Sequence, residues 1–301
     1  MTDRILDFAG SAATLSLREG LLVITRAGME AQTVPLSDIA VIMVSHPQVV
    51  FTQALVAALA QAGGVLVCCD QRHHPAAMLL PLEAHFIQAE RFRKQASASL
   101  PAQKRMWKEL VRAKIEAQGA VLAELHGQDR GLRELSRRVR SGDSGNLESV
   151  AAQRYWPQLF ADAGFRRGNE ADPRNSLLNY GYAVMRAATA RAVCAAGLHP
   201  SLGVHHANRY NAFCLADDLM EPLRPLVDRT VATWCAGREA SAWGLDKTAK
   251  SELIASVTAR NRVAGESRTL FDILTRTTQA LATALTEPGQ VFHFPDVDAA
   301  R

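Results

Sequence analysis

The hydrophobic pattern of the chain changes its period near residue 86, and this change restricts the possible folds more than any other feature. Before it, short apolar runs such as 39–45 (IAVIMVS) and 63–70 (GGVLVCCD) are bounded by Pro or Gly, as buried strands are. After it, the apolar residues of long segments recur with the period of a helix. The sequence therefore predicts an α+β fold, with a small β-rich domain over residues 1–86 and a larger helical domain over residues 87–301.

The same patterns predict individual elements. Residues 13–28 (ATLSLREGLLVITRAG) alternate apolar and polar side chains around Glu19-Gly20, which is typical of a β-hairpin. Residues 52–64 (TQALVAALAQAGG) have helical spacing and a glycine stop, so one helix interrupts the strands. Beyond residue 86, the periodic segments predict helices over 86–96, 102–126, 129–140, 147–161, 174–196, 209–220 and 267–286.

Composition and the N-terminus indicate the class of protein. The 48% hydrophobic and 21% charged residues are typical of a soluble globular chain. No tract of eighteen apolar residues occurs, and the first ten residues lack the basic start and apolar run of a signal peptide. We therefore expect a cytoplasmic protein with no membrane partner. The five cysteines form no CxxC pair and have apolar neighbours, which predicts buried thiols and neither disulfides nor a zinc site.

Positive charge is concentrated in the middle of the chain. Residues 1–85 contain four Lys or Arg and seven Asp or Glu, whereas residues 86–145 contain thirteen and seven. A basic segment of this size suits phosphate contacts that are insensitive to base sequence, although a solvated helical face is the alternative. The residues expected to contact DNA are Arg91, Arg93, Lys104, Arg105 and Lys108. The same run includes Arg112 and Lys114, and a second group consists of Arg133, Arg137, Arg138 and Arg140.

Residues 203–225 (GVHHANRYNAFCLADDLMEPLRP) place three acidic side chains on an otherwise apolar helix. Asp217 and Glu221 are four residues apart and Asp218 and Glu221 are three apart, so all three can crowd one side of it. Like charges repel there unless a cation or a proton intervenes. Pro222 removes a backbone N–H group, which predicts a bend in the helix just after the acidic residues.

Two histidines precede these acidic residues and could bind the same cation. His205 and His206 follow a turn rich in Gly and Pro, and a histidine with carboxylates from separate helices is a normal site for a divalent ion. The alternative is a solvated acidic turn paired with Arg209 or Arg224, with the histidines in core or capping positions.

A fourth acidic residue of interest is Glu148. The loop 140–146, which is rich in Gly, Ser and Asp, delivers it to the first turn of a helix that Ser144 or Asn146 can cap. An acidic residue in a first turn interacts favourably with the helix dipole, so Glu148 also has a purely structural explanation.

Three stretches resemble the CRISPR-associated integrase family known as CRISPR-associated protein one, and their sequences are similar to those of its type II branch. They are GNLESVAAQRYW (145–156), GLHPSLGVHH (197–206) and HANRYNAFCLADDLMEPLRPLVD (206–228). The order of a Glu, a His and then a DLMEPxRP helix is highly specific for that family, and the resemblance covers essentially the whole chain. It implies a β-rich N-terminal domain, a helical C-terminal domain and a homodimer. Two such dimers flank a dimer of a small second CRISPR adaptation protein.

The resemblance also implies the site. The metal ligands fall on Glu148, His206 and Glu221, with Asp218 as an acidic residue nearby. His206 lies fifteen residues before Glu221, as in the family, and His205 lies sixteen before it. Neighbouring side chains of an extended segment point in different directions, so we expect His205 to support the site from outside the ligand set.

The implied activity is the insertion of short foreign double-stranded DNA into a CRISPR repeat as a spacer. A 3′-hydroxyl of the incoming DNA attacks a phosphodiester, so no protein nucleophile is required, and water in its place would give endonuclease activity. Carboxylate ligands suit Mg²⁺, and one imidazole makes Mn²⁺ a good substitute. The alternatives are an integrase of a mobile element with the same fold and a catalytically silent DNA-binding scaffold. A metallohydrolase of small substrates fits the basic segment poorly.

Overall fold

The computed structural model describes residues 3–70, 75–263, 265–295 and 297–298. Its strands are β1 (Arg4–Phe8), β2 (Ala13–Arg18), β3 (Leu21–Thr25), β4 (Gln32–Pro35), β5 (Ile39–Val44), β6 (Val49–Phe51), β7 (Val65–Cys69), β8 (Pro75–Leu79), β9 (Arg260–Val263), β10 (Glu266–Thr269) and β11 (Val297–Asp298). Its helices are α1 (Gln53–Gln61), α2 (Gln88–Ala96), α3 (Leu100–His126), α4 (Leu132–Arg137), α5 (Leu147–Leu159), α6 (Pro173–Ala195), α7 (Cys214–Met220), α8 (Arg224–Ala236), α9 (Lys247–Thr258) and α10 (Leu270–Thr286).

The N-terminal part consists of two four-stranded sheets and one helix. Their strand orders are β1-β5-β7-β8 and β4-β3-β2-β6, and a single apolar core that includes Leu55 and Leu59 of α1 joins them. The predicted hairpin is confirmed: Glu19 and Gly20 have φ of 51° and 75° between the antiparallel strands β2 and β3. Two consecutive left-handed residues match the right-handed twist of the strands they connect.

Strand β5 explains why residues 39–44 are continuously apolar. Ile42 and Val44 pack into the core between the two sheets, whereas Val41 and Met43 pack into the core of the helical part. A strand covered on both faces has no polar alternation. The N-terminal part and the helical part therefore share a packed interface along this sheet. The boundary at residue 86 stays a prediction, and it falls between the end of β8 at Leu79 and the start of α2.

Helix α6 lies at the centre of the C-terminal part. It packs against α7, α8, α9 and α10 and against strands β5 and β7, so nearly all of its faces are buried. Gly181 permits the approach of α8, because a Cβ atom there would lie 2.4 Å from Cγ1 of Val227. This helix separates the sheet on one side from the elements that carry the candidate site on the other.

The predicted α+β class is confirmed, with corrections inside the C-terminal part. This part is not purely helical, because β9, β10 and β11 form a small antiparallel sheet. Helices α8 and α9 were not predicted. The helix predicted over 209–220 begins only at Cys214, and the helix predicted over 129–140 is reduced to α4.

All five cysteines are free; three are buried, whereas Cys68 and Cys69 are only partly buried. Within the described ranges, no helix combines the length and apolar character needed to cross a bilayer.

Candidate functional site

Glu148 is positioned by the loop that precedes α5. The carboxylate of Asp143 accepts hydrogen bonds from the backbone N–H groups of Leu147 (2.9 Å) and Glu148 (3.0 Å). These groups have no partner within the helix, so Asp143 stabilises its first turn. The prediction that Ser144 or Asn146 caps the helix is wrong: Asn146 occupies the cap position with φ of 50°, and its side chain makes no capping hydrogen bond.

Glu221 is positioned by a break between two helices. Helix α7 ends at Met220, a 3-10 turn covers Glu221–Leu223, and α8 begins at Arg224. The bend predicted from Pro222 is confirmed. The three acidic side chains of this segment are all buried, so the alternative of a solvated acidic turn is wrong. Each of them has a different partner.

Lys114 of α3 connects Glu148 to Glu221. Its Nζ lies 2.6 Å from Oε1 of Glu148 and 2.6 Å from Oε2 of Glu221. Burial lowers the pKa of Lys114, but the two carboxylates outweigh burial and raise that pKa above its usual value. Its ammonium therefore stays charged. In the sequence Lys114 belongs to the basic segment, whereas in the structure it contacts the two glutamates.

Arg224 adds a second positive charge. Its guanidinium lies 3.0 Å from Oε1 of Glu221. Burial alone would raise the pKa of Glu221, but Arg224 and Lys114 together lower it below the usual range. Of the two arginines considered as alternatives, Arg224 thus pairs with this segment, whereas Arg209 lies over the ring of the exposed Tyr210.

Asp218 holds the segment that carries the histidines. It is fully buried, and its Oδ2 accepts hydrogen bonds from the backbone N–H groups of Val204 (2.6 Å) and His205 (2.9 Å). Its Oδ1 lies 2.5 Å from Nδ1 of His206. Gly203 is required here, because a Cβ atom would lie 2.3 Å from the carbonyl oxygen of His206.

These contacts determine the state of the His206 ring. The hydrogen bond with Asp218 raises the pKa of His206 against the opposing effect of burial, and the charges of Glu221 and Glu148 raise it further. The ring of His206 also lies edge-on to that of Trp107, with centroids 5.7 Å apart, and Trp107 is on the same helix that carries Lys114. Since Nδ1 is held by Asp218, the Nε2 atom of a neutral ring is the one left to bind a ligand.

His205 and Asp217 have roles outside this group. The His205 ring stacks on the buried Trp107 of α3, with centroids 4.2 Å apart and planes at 5°. Asp217 accepts hydrogen bonds from Arg186 (2.7 Å) and Asn211 (2.7 Å). His205 is exposed, with one face of its ring covered by Trp107, and the supporting role predicted for it stays a prediction.

Gln95 of α2 holds the other end of the histidine segment. Its amide donates hydrogen bonds to the carbonyl groups of His199 (3.0 Å) and Leu202 (2.7 Å) and accepts one from the N–H group of His199 (2.8 Å). Sequence reasoning missed this residue. The spacing of α2 indicates its position, because Gln95 follows Arg91 by four residues and so lies on the same face of the helix. These two residues form the buried face of α2.

The donor set fits a hard divalent ion. Glu148 and Glu221 supply carboxylate oxygens and His206 supplies one imidazole nitrogen, which suits Mg²⁺ or Mn²⁺. Oε2 of Glu221 is buried and lies 2.6 Å from the ammonium of Lys114, so a cation already occupies this side of the carboxylate. In the described part of the chain, no three His, Cys, Asp or Glu side chains are close enough together to hold an ion as they stand. The metal assignment stays a prediction.

The predicted DNA contacts separate into two classes. Arg93, Lys104 and Arg105 are exposed and Lys108 is half-buried, so phosphate can reach them. Arg91 is buried at 8% exposure, and its guanidinium donates a hydrogen bond to the carbonyl oxygen of Ala196 (2.6 Å). The prediction that Arg91 contacts DNA is therefore wrong. The arginines of the second group, 133, 137, 138 and 140, are exposed.

Known proteins resemble this chain in sequence and in structure. The family model of CRISPR associated protein Cas1 matches residues 8–267. The CRISPR-associated endonuclease Cas1 of Neisseria meningitidis serogroup C (strain 8013) is 43% identical over 220 residues, covering 72% of this chain and 71% of that protein.

Two solved structures show the fold. A casposase bound to integration product has a TM-score of 0.79 at 19% identity, covering 100% of this chain and 96% of the casposase. A chain of a Cas6-RT-Cas1–Cas2 complex has a TM-score of 0.75 at 18% identity, covering 97% of this chain and 36% of that one.

Proposed function

The chain belongs to the family of CRISPR-associated Cas1 proteins, and we propose that it is a divalent-metal-dependent DNA integrase and endonuclease that inserts DNA fragments as spacers into a CRISPR array. One observation carries the proposal. Glu148 and Glu221, from separate parts of the chain, both contact Lys114 of α3, and the ring of His206 lies against Trp107 of the same helix, whose outer face carries exposed basic residues. This arrangement supports metal chemistry on a phosphodiester.

The residues of the chain have distinct tasks in this proposal. Glu148, Glu221 and Nε2 of His206 would hold Mg²⁺ or Mn²⁺, and Asp218 keeps the His206 ring in place through Nδ1. A bound ion stabilises charge on the reacting phosphate and favours ionisation of the attacking hydroxyl. The attacking oxygen belongs to the 3′ end of the incoming DNA, so no serine or cysteine nucleophile is needed.

The basic residues would hold the DNA backbone. Arg93, Lys104, Arg105 and Lys108 lie on α2 and on the first turns of α3, which also carries Lys114. Phosphate contacts of this kind bind any sequence and orient the duplex. Recognition of the repeat would then depend on other contacts.

The proposed assembly is a cytoplasmic homodimer that acts with a small second CRISPR adaptation protein. The structural likeness to a chain of a Cas6-RT-Cas1–Cas2 complex supports a partner of that kind. The N-terminal sheets carry little positive charge, so we assign them to dimer contacts and assign DNA contacts to the helical part.

The likeness to a casposase supports a second candidate, an integrase of a mobile element. The 43% identity to a CRISPR-associated endonuclease favours the CRISPR assignment. A CRISPR array beside the gene would separate the two candidates.

Strand transfer tests the proposal directly. The protein, the small adaptation protein from the same locus, Mn²⁺ or Mg²⁺ and a duplex with free 3′-hydroxyls are incubated with a plasmid that bears the neighbouring repeat. We expect ligation of the duplex into the plasmid, and none with EDTA or with dideoxy 3′ ends. Glu148→Gln and Glu221→Gln should abolish it, while the matched variant Asp217→Asn retains it.

The same assay tests the assignment of the histidines. His206→Ala should abolish strand transfer and His205→Ala should only weaken it, because the latter removes a stacking contact with Trp107. Efficient integration by the two glutamate variants would refute the metal site. No strand transfer by a wild-type protein that still binds DNA would favour a silent scaffold.

A further inference from the structure

The ammonium of Lys114 lies between the two carboxylates that the proposed function assigns to a metal ion. Its Nζ is 2.6 Å from one oxygen of Glu148 and 2.6 Å from one oxygen of Glu221. The side chains of Lys114 and Glu221 are 15% and 7% exposed, so water screens this contact only weakly. A cation bound by the same two oxygens would compete with the ammonium for them.

The formal charges of this group are balanced without a metal ion. Lys114 and Arg224 carry two positive charges, and Glu148 and Glu221 carry two negative charges, so the four sum to zero. Without Lys114 the pair of glutamates would leave an uncompensated negative charge at a buried position, which is unfavourable. The lysine therefore stabilises the metal-free protein.

Arg174 is another buried cation of the chain, and its ion pairs differ from those of Lys114. Arg174 also bridges two carboxylates, those of Asp162 and Asp172. Its planar guanidinium in addition lies over aromatic rings, 4.7 Å from the centroid of Phe165 and 5.0 Å from that of Trp243. Such a group is locked in place, whereas a lysine ammonium is a point charge on a flexible stem and can withdraw.

We propose that Lys114 is the resident counter-ion of the metal-free site, which a divalent ion must displace from Glu148 and Glu221 in order to bind. This inference rests on the proposed function, because it takes the two glutamates to be metal ligands. Its consequence is that Lys114 weakens metal binding. The displaced ammonium also stays near the ion and repels it, which adds to the same effect.

Metal affinity of the DNA-free protein tests the proposal. Lys114→Met should bind Mn²⁺ at least about tenfold more tightly than wild type in titration calorimetry, because competition and repulsion are both removed. Its melting temperature in EDTA should be lower than that of wild type, and the increase on adding Mn²⁺ should be larger. Lys108→Met is the matched control, on the same helix but without a contact to either glutamate, and should change neither quantity.

The sign of the affinity change separates this role from a structural one. A lysine that only keeps the carboxylates in position would make Lys114→Met bind Mn²⁺ more weakly, and unchanged or weaker binding overturns the proposal. Lys114→Arg keeps the charge and should not bind more tightly than wild type.

A measurement on the wild-type protein covers the case in which the methionine variant does not fold. In NMR spectra of the protein with ¹⁵N-labelled lysine, the ammonium group of Lys114 should give a signal in EDTA that is protected from exchange with water. The chemical shift of this signal should change when diamagnetic Mg²⁺ is added, and a signal that does not respond to Mg²⁺ overturns the proposal. Glu221→Gln distinguishes the two levels of inference. If wild type binds Mn²⁺, Glu221→Gln does not, and Lys114→Met binds it with the affinity of wild type, then the metal site stands and only the counter-ion role of Lys114 is refuted. If wild type and both variants all fail to bind Mn²⁺, the proposed metal site is refuted as well.

Discussion

Replacing Asp218 by asparagine should disorder the segment that carries His206, although asparagine has the same shape. Oδ2 of Asp218 accepts hydrogen bonds from the N–H groups of Val204 and His205, and Oδ1 contacts Nδ1 of His206. All of these partners are donors when the ring is oriented to donate through Nδ1. In either orientation of an asparagine amide, its NH₂ group faces at least one of them and cannot accept.

The size of the effect follows from this count. A hydrogen bond to a charged group contributes about 1.5–3 kcal/mol, and a buried donor left without an acceptor is costly. If the amide nitrogen faces His206, the bonds from its Nδ1 and from its backbone N–H (3.4 Å) are broken; if it faces Val204 and His205, the two bonds to their N–H groups are broken. We therefore expect Asp218→Asn to lower the free energy of unfolding by about 2–5 kcal/mol, a large part of the total of about 5–15 kcal/mol for a typical protein.

The destabilisation should depend on pH in a direction that the structure sets. Asp218 raises the pKa of His206 above its ordinary 6.5, so the folded protein holds that proton more tightly than the unfolded chain. The resulting stabilisation is fully present below the unfolded pKa and disappears as pH rises through the folded pKa. The difference between wild type and variant should therefore be larger at about pH 5.5 than at about pH 8.5.

Urea unfolding at both pH values, followed by circular dichroism, measures the difference. Asp217→Asn is the matched control, on the adjacent residue and also buried, because the amide oxygen of an asparagine there can still accept the hydrogen bond from Arg186, so that only the bond from Asn211 is lost. It should be destabilised less than Asp218→Asn. A destabilisation of under about 1 kcal/mol for Asp218→Asn, with unchanged Mn²⁺ binding, would refute the view that Asp218 holds the histidine segment.

Two further predictions concern other parts of the chain. Burial raises the pKa of Asp228 from 3.8 to about 6. Between these two pH values the folded state holds a proton that the unfolded chain has released. The free energy of unfolding of the wild type should therefore fall by about 3 kcal/mol as pH rises from the lower value to the higher. Asp228→Asn does not titrate and should show a flatter profile by urea unfolding between those pH values; an equal fall in both proteins would contradict this. Changing Lys104, Arg105 and Lys108 together to Glu should weaken binding to any DNA duplex and reduce the slope of log K against log salt by about one for each phosphate that the variant no longer neutralises. Fluorescence anisotropy at several salt concentrations measures it, and an unchanged slope would mean that these residues form only a solvated face.

The sequence predicts the elements whose residues carry their own periodic signal. Strands β5 and β7 are apolar runs with clear boundaries, and α3 keeps its period over 27 residues. Helix α8 was not predicted, because Pro222 and Pro225 in the sequence indicate an interruption of the helix. Proline is acceptable in the first turn of a helix, where its missing N–H group would have no helical partner. Strands β9 and β10 are four residues each and mostly polar, so no alternation marks them.

The candidate site was only partly predictable, for a different reason. Glu148, His206 and Glu221 are far apart in the chain, and their grouping was predicted from the family resemblance rather than from local pattern. Lys114 was assigned to the basic segment because its neighbours in sequence are basic. Its signal is its position on the helix, since it follows Trp107 by seven residues, or about two turns, and so lies on the same face as that buried ring. A charged residue on the buried face of a helix needs a partner, and here the partners are the two glutamates.

Helix α2 links the basic surface to the position of His206. Its buried face, through Gln95, makes three hydrogen bonds to the segment that leads to the histidines, while Arg93 and Lys94 on its other face are exposed. Because a helix of nine residues moves as a unit, a phosphate bound on the exposed face and the backbone held on the buried face share one rigid element. Asp218 holds the same segment from the opposite end. The placement of His206 is thus determined by contacts from two helices, one of which carries residues proposed to bind DNA.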